Sequence, residues 1–276
     1  MPITHFLTRS ALLCALLVCF LPLPLAANEH SAALRLIRAY PEAGMTLEQT
    51  GDGLYVVITG TRLLFEPRGG CPSVSPDSPD DPPLCATMTQ GYPAGTKGRY
   101  PTKGFDPGRT RSEILLKLLY GRSAEEVRQQ CEEVSFLGTT VLFSSRQGAA
   151  RALARVAAKL EELCSENPAL LRYILPTPGA YAWRVIEGSG RLSAHSFGIA
   201  LDLNVDKGPY WRWASPASAA VRDARKGYPQ AIVQAFEDEG FIWGGKWNHF
   251  DFMHFEYRPE LFEDRPKAKG SAPGTR

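Results

Sequence analysis

Residues 191–204 read Arg-Leu-Ser-Ala-His-Ser-Phe-Gly-Ile-Ala-Leu-Asp-Leu-Asn, and residues 247–257 read Trp-Asn-His-Phe-Asp-Phe-Met-His-Phe-Glu-Tyr. Gly198 permits a turn directly after His195, and the alternation from Ile199 to Asn204 is that of a strand. Ile199, Leu201 and Leu203 share one face, while Ala200, Asp202 and Asn204 share the other. Asp202 therefore points away from the apolar face, and the turn can fold His195 back beside it. In the second stretch, Phe252 to Tyr257 is strand-like and carries His254 among aromatics, where an unpartnered imidazole is costly.

Around these two strands the pattern is one of irregularly alternating helices and strands. Arg111 to Tyr120 reads as a helix stopped by Gly121. Ser123 and Glu126 form a capping box that opens a second helix running through Cys131. Leu137 to Phe143 is strand-like. Leu153, Val156, Leu160 and Leu163 recur at helical spacing, giving an amphipathic helix over 147–164. Pro229 starts and Gly240 ends another helix, and Phe241-Ile242-Trp243 is a short strand. No βαβ repetition is present, so the expected class is α+β: a small antiparallel sheet with flanking helices, preceded by an irregular N-terminal region.

That preceding region, 28–108, shows weak strand signals. Residues 54–58 and 62–65 flank Thr59-Gly60-Thr61 and read as a hairpin. The Pro-Ser-Val-Ser-Pro-Asp-Ser-Pro-Asp-Asp-Pro-Pro-Leu run between Cys71 and Cys85 is too polar and proline-rich to pack. Gly91 to Gly108 is Gly/Pro/Lys-rich and is expected to wrap over the surface. The domain boundaries that follow are 1–27 (signal), 28–108 (irregular/β), 109–263 (the domain with the His/Asp clusters) and 264–276 (a basic, disordered tail).

The first 27 residues combine Arg9, an apolar run from Ala11 to Leu25 and the small pair Ala26-Ala27. This is the order of a cleaved secretory signal, with a retained anchor as the alternative. The run is short for a bilayer span and contains Pro22 and Pro24. Bulky Val18 before Cys19 is unsuited to lipidation. A periplasmic or secreted location follows, with no stable membrane span after cleavage. Cys14 and Cys19 leave with the signal, and Cys71, Cys85, Cys131 and Cys164 remain. An even number in an exported chain suggests two disulfides. Of three connectivities, pairing of sequence neighbours is expected: Cys71–Cys85 and Cys131–Cys164.

The 276 residues carry a formal net charge of only +2, with 44% hydrophobic and 22% charged residues. Such a chain can bury a real core. It has no basic run interleaved with aromatics, which excludes the electrostatic footprint of nucleic-acid binding. A monomer is expected.

Two imidazoles and a carboxylate, His195, Asp202 and His254, form a donor set suited to Zn²⁺ with a fourth position left for water. Asp251, three residues before His254, is placed to act as general base. The residues alone leave a second reading open, in which the histidines are satisfied core residues and Asp202 is a cap or ion-pair partner. The full pattern carries more. Ser-x-His-x-x-Gly-x-Ala-x-Asp followed by Trp-x-x-x-Asp-x-x-His-Phe-Glu resembles the D-alanyl-D-alanine carboxypeptidase and L-alanyl-D-glutamate endopeptidase family, which includes vancomycin-resistance carboxypeptidases and phage endolysins. The resemblance covers about residues 181–261.

It implies a zinc peptidase acting on peptidoglycan stem peptides, with His195, Asp202 and His254 as ligands and Asp251 activating the metal-bound water. Aspartate at the base position is the endopeptidase-like choice. An arginine that stabilises the tetrahedral intermediate is also implied. Arg184 and Arg191 are the candidates, with Arg184 preferred for its neighbours Tyr181 and Trp183. Ser193 and His249 are candidate substrate-binding residues, and Glu256 a candidate partner for His254. Neither Ser-x-x-Lys nor His-Glu-x-x-His occurs, which removes two rival peptidase mechanisms. The alternative function is a non-catalytic zinc-containing binding module, as in Hedgehog signalling domains, which are similar to this family in fold.

Overall fold

The computed structural model describes residues 30–75, 81–95, 103–215 and 218–263. The expected signal sequence, the tail after 263 and part of the proline-rich loop lie outside these residues. The helices are α1 (Ser31–Ala39), α2 (Leu84–Thr87), α3 (Glu113–Tyr120), α4 (Ala124–Gln129), α5 (Ala149–Glu166), α6 (Leu171–Ile174), α7 (Ala219–Gly227) and α8 (Gln230–Glu237). The strands are β1 (Thr46–Gln49), β2 (Gly53–Ile58), β3 (Thr61–Pro67), β4 (Cys131–Phe136), β5 (Thr139–Ser144), β6 (Ala200–Asp202), β7 (Phe241–Trp243) and β8 (His254–Tyr257). They form three antiparallel sheets, ordered β1-β2-β3, β4-β5 and β6-β8-β7. The class is α+β.

Local chemistry explains most of the boundaries. Thr59 and Gly60 have φ of 48° and 77°, the two left-handed residues that a type I′ hairpin turn requires. Leu137 and Gly138, at 44° and 81°, make the same turn between β4 and β5. The expected strand 137–143 therefore loses its first two residues to a turn. The helix expected to run through Cys131 stops at Gln129. Ser123 Oγ accepts from the Glu126 N–H at 3.2 Å, and the Glu126 carboxylate accepts from the Arg122 N–H at 2.7 Å, so the cap itself forms. Beyond it, Cys131 to Phe136 is a strand with only Val134 and Phe136 on its buried face. Its exposed Glu132 and Glu133 disguise the alternation.

The buried core is continuous from Ala33 in α1 to Tyr257 in β8. Leu153, Val156 and Leu160 of α5 are fully buried, each contributing roughly 1.5–3 kcal/mol. That helix packs on the β4–β5 hairpin and on α8, and α8 backs β7. Phe236 of α8 stacks on Phe255 of β8 at 4.0 Å between centroids, which seats the β6-β8-β7 sheet.

The stretch expected to wrap over the surface is instead partly interior. Tyr92 and Asp106 are buried. The Tyr92 hydroxyl donates to Glu237 at 2.6 Å, and Lys246 Nζ binds the Pro93 and Gly95 carbonyls and the same glutamate. A buried ammonium and carboxylate hold this segment where composition alone suggests a loose cover.

The Cys71–Cys85 disulfide is present, whereas Cys131 and Cys164 are free thiols, so the second expected pairing is incorrect. Cys131 pairs with Ser144, just ahead of the start of α5. Cys164 lies fifteen residues into that helix, about 22 Å along its axis at 1.5 Å per residue. A disulfide needs Cα atoms within about 7 Å. Alkylation of the denatured, unreduced chain from residue 28 onward is expected to label Cys131 and Cys164 only. A peptide linking those two would contradict this arrangement.

Candidate metal centre

The register of one strand pair builds the site. Asp202 at the end of β6 stands directly opposite His254 at the start of β8. His195 reaches the same point from the 3-10 turn Ala194–Phe197, which Ser193 opens by accepting the His195 N–H at 3.3 Å. Gly198 closes that turn with φ 65°. A Cβ there would stand 2.9 Å from Cys131 Sγ, so both conformation and space call for glycine. At Gly244 space alone calls for glycine, since a Cβ would approach the Asp251 carbonyl to 2.5 Å.

The ligand-type atoms of His195, Asp202 and His254 all lie within 4.8 Å of one another. His195 Nε2 is 3.2 Å and His254 Nδ1 3.0 Å from the same oxygen, Asp202 Oδ1. Each ring is oriented from its far side. His195 Nδ1 lies 2.5 Å from the Ala180 carbonyl, and His254 Nε2 lies 3.5 Å from the Glu256 carboxylate. A carbonyl only accepts, so Nδ1 of His195 carries the proton and the neutral ring presents a lone pair at Nε2. That buried Nε2 has no hydrogen-bond partner. Two imidazole nitrogens and an anionic oxygen thus converge with their electron density facing inward, an arrangement that a cation resolves. The donor chemistry and the orphaned Nε2 fit Zn²⁺.

The electrostatics agree. Burial disfavours the Asp202 carboxylate, yet the two imidazoles outweigh it and hold its pKa well below the usual range. Burial likewise opposes a charged His254, but Asp202 and Glu256 raise its pKa to about 10. Without metal, a proton on His254 offsets the negative charge. Glu256 is lowered to about 2 against its burial by His254, Arg258 and Arg111. Asp251 is the opposite case: burial lifts it to about 6, with His254 opposing and Asp202 reinforcing the rise. Its Oδ1 is buried without a hydrogen-bond partner.

These groups line a cavity of about 140 Å³ together with Arg184, Arg191, Ser193 and His249. The two arginines differ. Arg191 donates to the Arg109 and Arg111 carbonyls, at 3.3 and 2.6 Å, and so ties the wall together. Arg184 is exposed and its guanidinium acts on Asp251 through space. Asp106, Arg109 and Arg111 were missed as site residues. Asp106 sits in the Gly/Pro-rich stretch, Arg109 just after it and Arg111 at the start of the expected helix, with no site pattern to mark them; the fold brings the arginines to the cavity wall and Asp106 to His249. Among the tryptophans, Trp243 is buried, Trp211 and the largely buried Trp247 line the cavity, and Trp213 is 73% exposed.

Residues 187–257 match the sequence profile of a family described as D-alanyl-D-alanine carboxypeptidase, a family of zinc peptidases. The matched stretch contains His195, Asp202, Asp251 and His254, and supports a metallopeptidase hydrolase. No curated protein matches the chain. Among the described residues no helix is long and apolar enough to cross a membrane.

Because the His254 pKa is raised, its ring is protonated at neutral pH until a metal displaces that proton. Zinc affinity should therefore rise with pH, by up to about tenfold per unit below the raised pKa, with about one proton released per ion bound at pH 7. Calorimetry in buffers of different ionisation enthalpy measures that release. His195→Ala and His254→Ala should abolish binding; tight zinc binding by either variant would remove that residue from the ligand set.

Proposed function

We propose that this chain is a zinc-dependent peptidase that hydrolyses peptide bonds of peptidoglycan stem peptides, of the D-Ala-D-Ala carboxypeptidase or L-Ala-D-Glu endopeptidase type, acting in the periplasm or after secretion. The observation that carries the reading is the convergence of His195, Asp202 and His254 beside Asp251, whose buried Oδ1 has no hydrogen-bond partner, all within the stretch that matches the carboxypeptidase profile. The domain responsible is residues 109–263.

His195, Asp202 and His254 would hold Zn²⁺. Bound there, zinc supplies Lewis acidity toward water and the scissile carbonyl. Asp251 takes up the proton that the attacking water loses. Burial suits it to this task, because a carboxylate with a raised pKa is a stronger base than one in water. Arg184 offers a positive charge at the same cavity for the developing oxyanion, whereas the Arg191 guanidinium is engaged with backbone carbonyls. Ser193 and His249 line the space a peptide would enter. A zinc-containing binding module has no use for a buried base facing its metal, which disfavours that alternative.

The two carboxylates should separate in variants. Asp202→Ala should lower zinc content and turnover together. Asp251→Asn should keep zinc and fold, yet lose about 10²–10⁴-fold in rate. Asp251→Glu should retain partial activity. Zinc analysis and muropeptide turnover test all three; full activity in Asp251→Asn would place the base elsewhere. The pH profile has a defined sign. Asp251 is competent as the carboxylate, so kcat/KM should fall as pH drops through a value at or below about 6, since a bound cation lowers its pKa.

A further inference from the structure

His249 lines the same cavity as the metal cluster, and its ring is held by more contacts than a surface histidine needs. Its backbone N–H donates to Asp106 Oδ1 at 2.7 Å, and its Nδ1 lies 2.8 Å from Asp106 Oδ2. Asp106 is only 2% exposed and is itself fixed. Its N–H donates to Gln90 Oε1 at 2.6 Å, its carbonyl accepts the Arg109 N–H at 3.1 Å, and the neighbouring Phe105 carbonyl accepts the Asn248 N–H at 2.7 Å. Trp211 meets the imidazole edge-on at 4.7 Å between centroids. The ring has one orientation. With Nδ1 turned to the buried carboxylate, the edge left to the cavity carries Nε2.

The chemistry of that edge follows from Asp106. A carboxylate only accepts, so Nδ1 holds the proton and Nε2 of the neutral ring is an acceptor. Of the carboxylates lining the cavity, Asp202 belongs to the metal cluster and Glu256 is held by His254 and Arg258, while Asp251 is the proposed base. A peptide offers backbone N–H groups, and an acceptor in this position pairs with one of them.

We infer that His249 is a substrate-binding residue that accepts a peptide N–H through Nε2, and that Asp106 is its positioning residue, acting by dictating the tautomer. The inference rests on the peptidase reading above. Asp106 and Gln90 lie outside the stretch that matches the carboxypeptidase profile, so the N-terminal part of the chain completes the substrate site.

The test uses the zinc-loaded chain with Ala, Gln and Asn variants and a stem peptide whose amides are replaced one at a time by esters. His249→Ala should keep zinc and kcat while KM rises roughly 3- to 10-fold, the worth of one hydrogen bond. His249→Gln, whose Oε1 reaches the place of Nε2, should recover most of that loss. Asp106→Asn offers an N–H to Nδ1 and moves the ring proton to Nε2, so it should raise KM as His249→Ala does. At the contacted amide, the ester should cost the wild type roughly 3- to 10-fold and Asp106→Asn little. ¹⁵N NMR of the zinc-free protein supplies a readout independent of turnover: Nε2 of His249 should be unprotonated in wild type and protonated in Asp106→Asn. An unchanged KM in His249→Ala, or a protonated Nε2 in the wild type, overturns the inference. A wild type that loads zinc but cleaves no stem peptide overturns the peptidase reading instead.

Discussion

The structure depends on one register: Asp202 opposite His254 across the β6–β8 pair. In an antiparallel ladder a slip of one residue would send every side chain to the other face, separating carboxylate from imidazole and burying Asp202 among aromatics. The register is pinned from behind. Leu201 and Leu203 are fully buried, and Phe255, beside His254, stacks on Phe236 of α8. The hydrophobic core thus determines the position of the polar site, and α5 and α8 matter to the chemistry because they hold the sheet.

Two aspartates in one cavity are pushed in opposite directions by their surroundings. Asp202 faces two imidazoles and stays ionised, whereas Asp251 has a buried, orphaned Oδ1 and its pKa rises to about 6. Environments that drive paired carboxylates apart give them different tasks. Behind them runs a buried charged chain, from His254 through Glu256 and Arg258 to Glu260 and the Tyr40 hydroxyl. It leads from the metal cluster to the segment that follows α1. The N-terminal region is therefore bonded into the support of the site, at Glu260 as well as at Asp106.

The sequence made the centre legible because its signals are local. The turn at Gly198 and the two-residue alternation of β6 can be read without knowing anything else about the chain. The capping box of α4, the periodicity of α5 and the hairpin at Thr59-Gly60 were legible for the same reason. What was missed depends on distance. β4 hides behind its exposed glutamates, and the Cys131–Cys164 pairing failed because sequence proximity ignores the length of α5. Asp106 lies in a Gly/Pro-rich stretch that reads as a loose cover, and Arg109 directly follows it. Bonds between residues far apart in sequence, Tyr92 to Glu237, Lys246 to the Pro93 and Gly95 carbonyls and His249 to Asp106, bring that stretch inward.

The central claim is that the converged His195, Asp202 and His254, with Asp251 beside them, form a working peptidase centre. Mass analysis of muropeptides digested by the zinc-loaded protein, with and without a chelator, tests it most directly. The account predicts cleaved stem peptides in the absence of chelator and intact ones in its presence, with activity restored by added zinc. Cleavage that persists after the metal is stripped would contradict it.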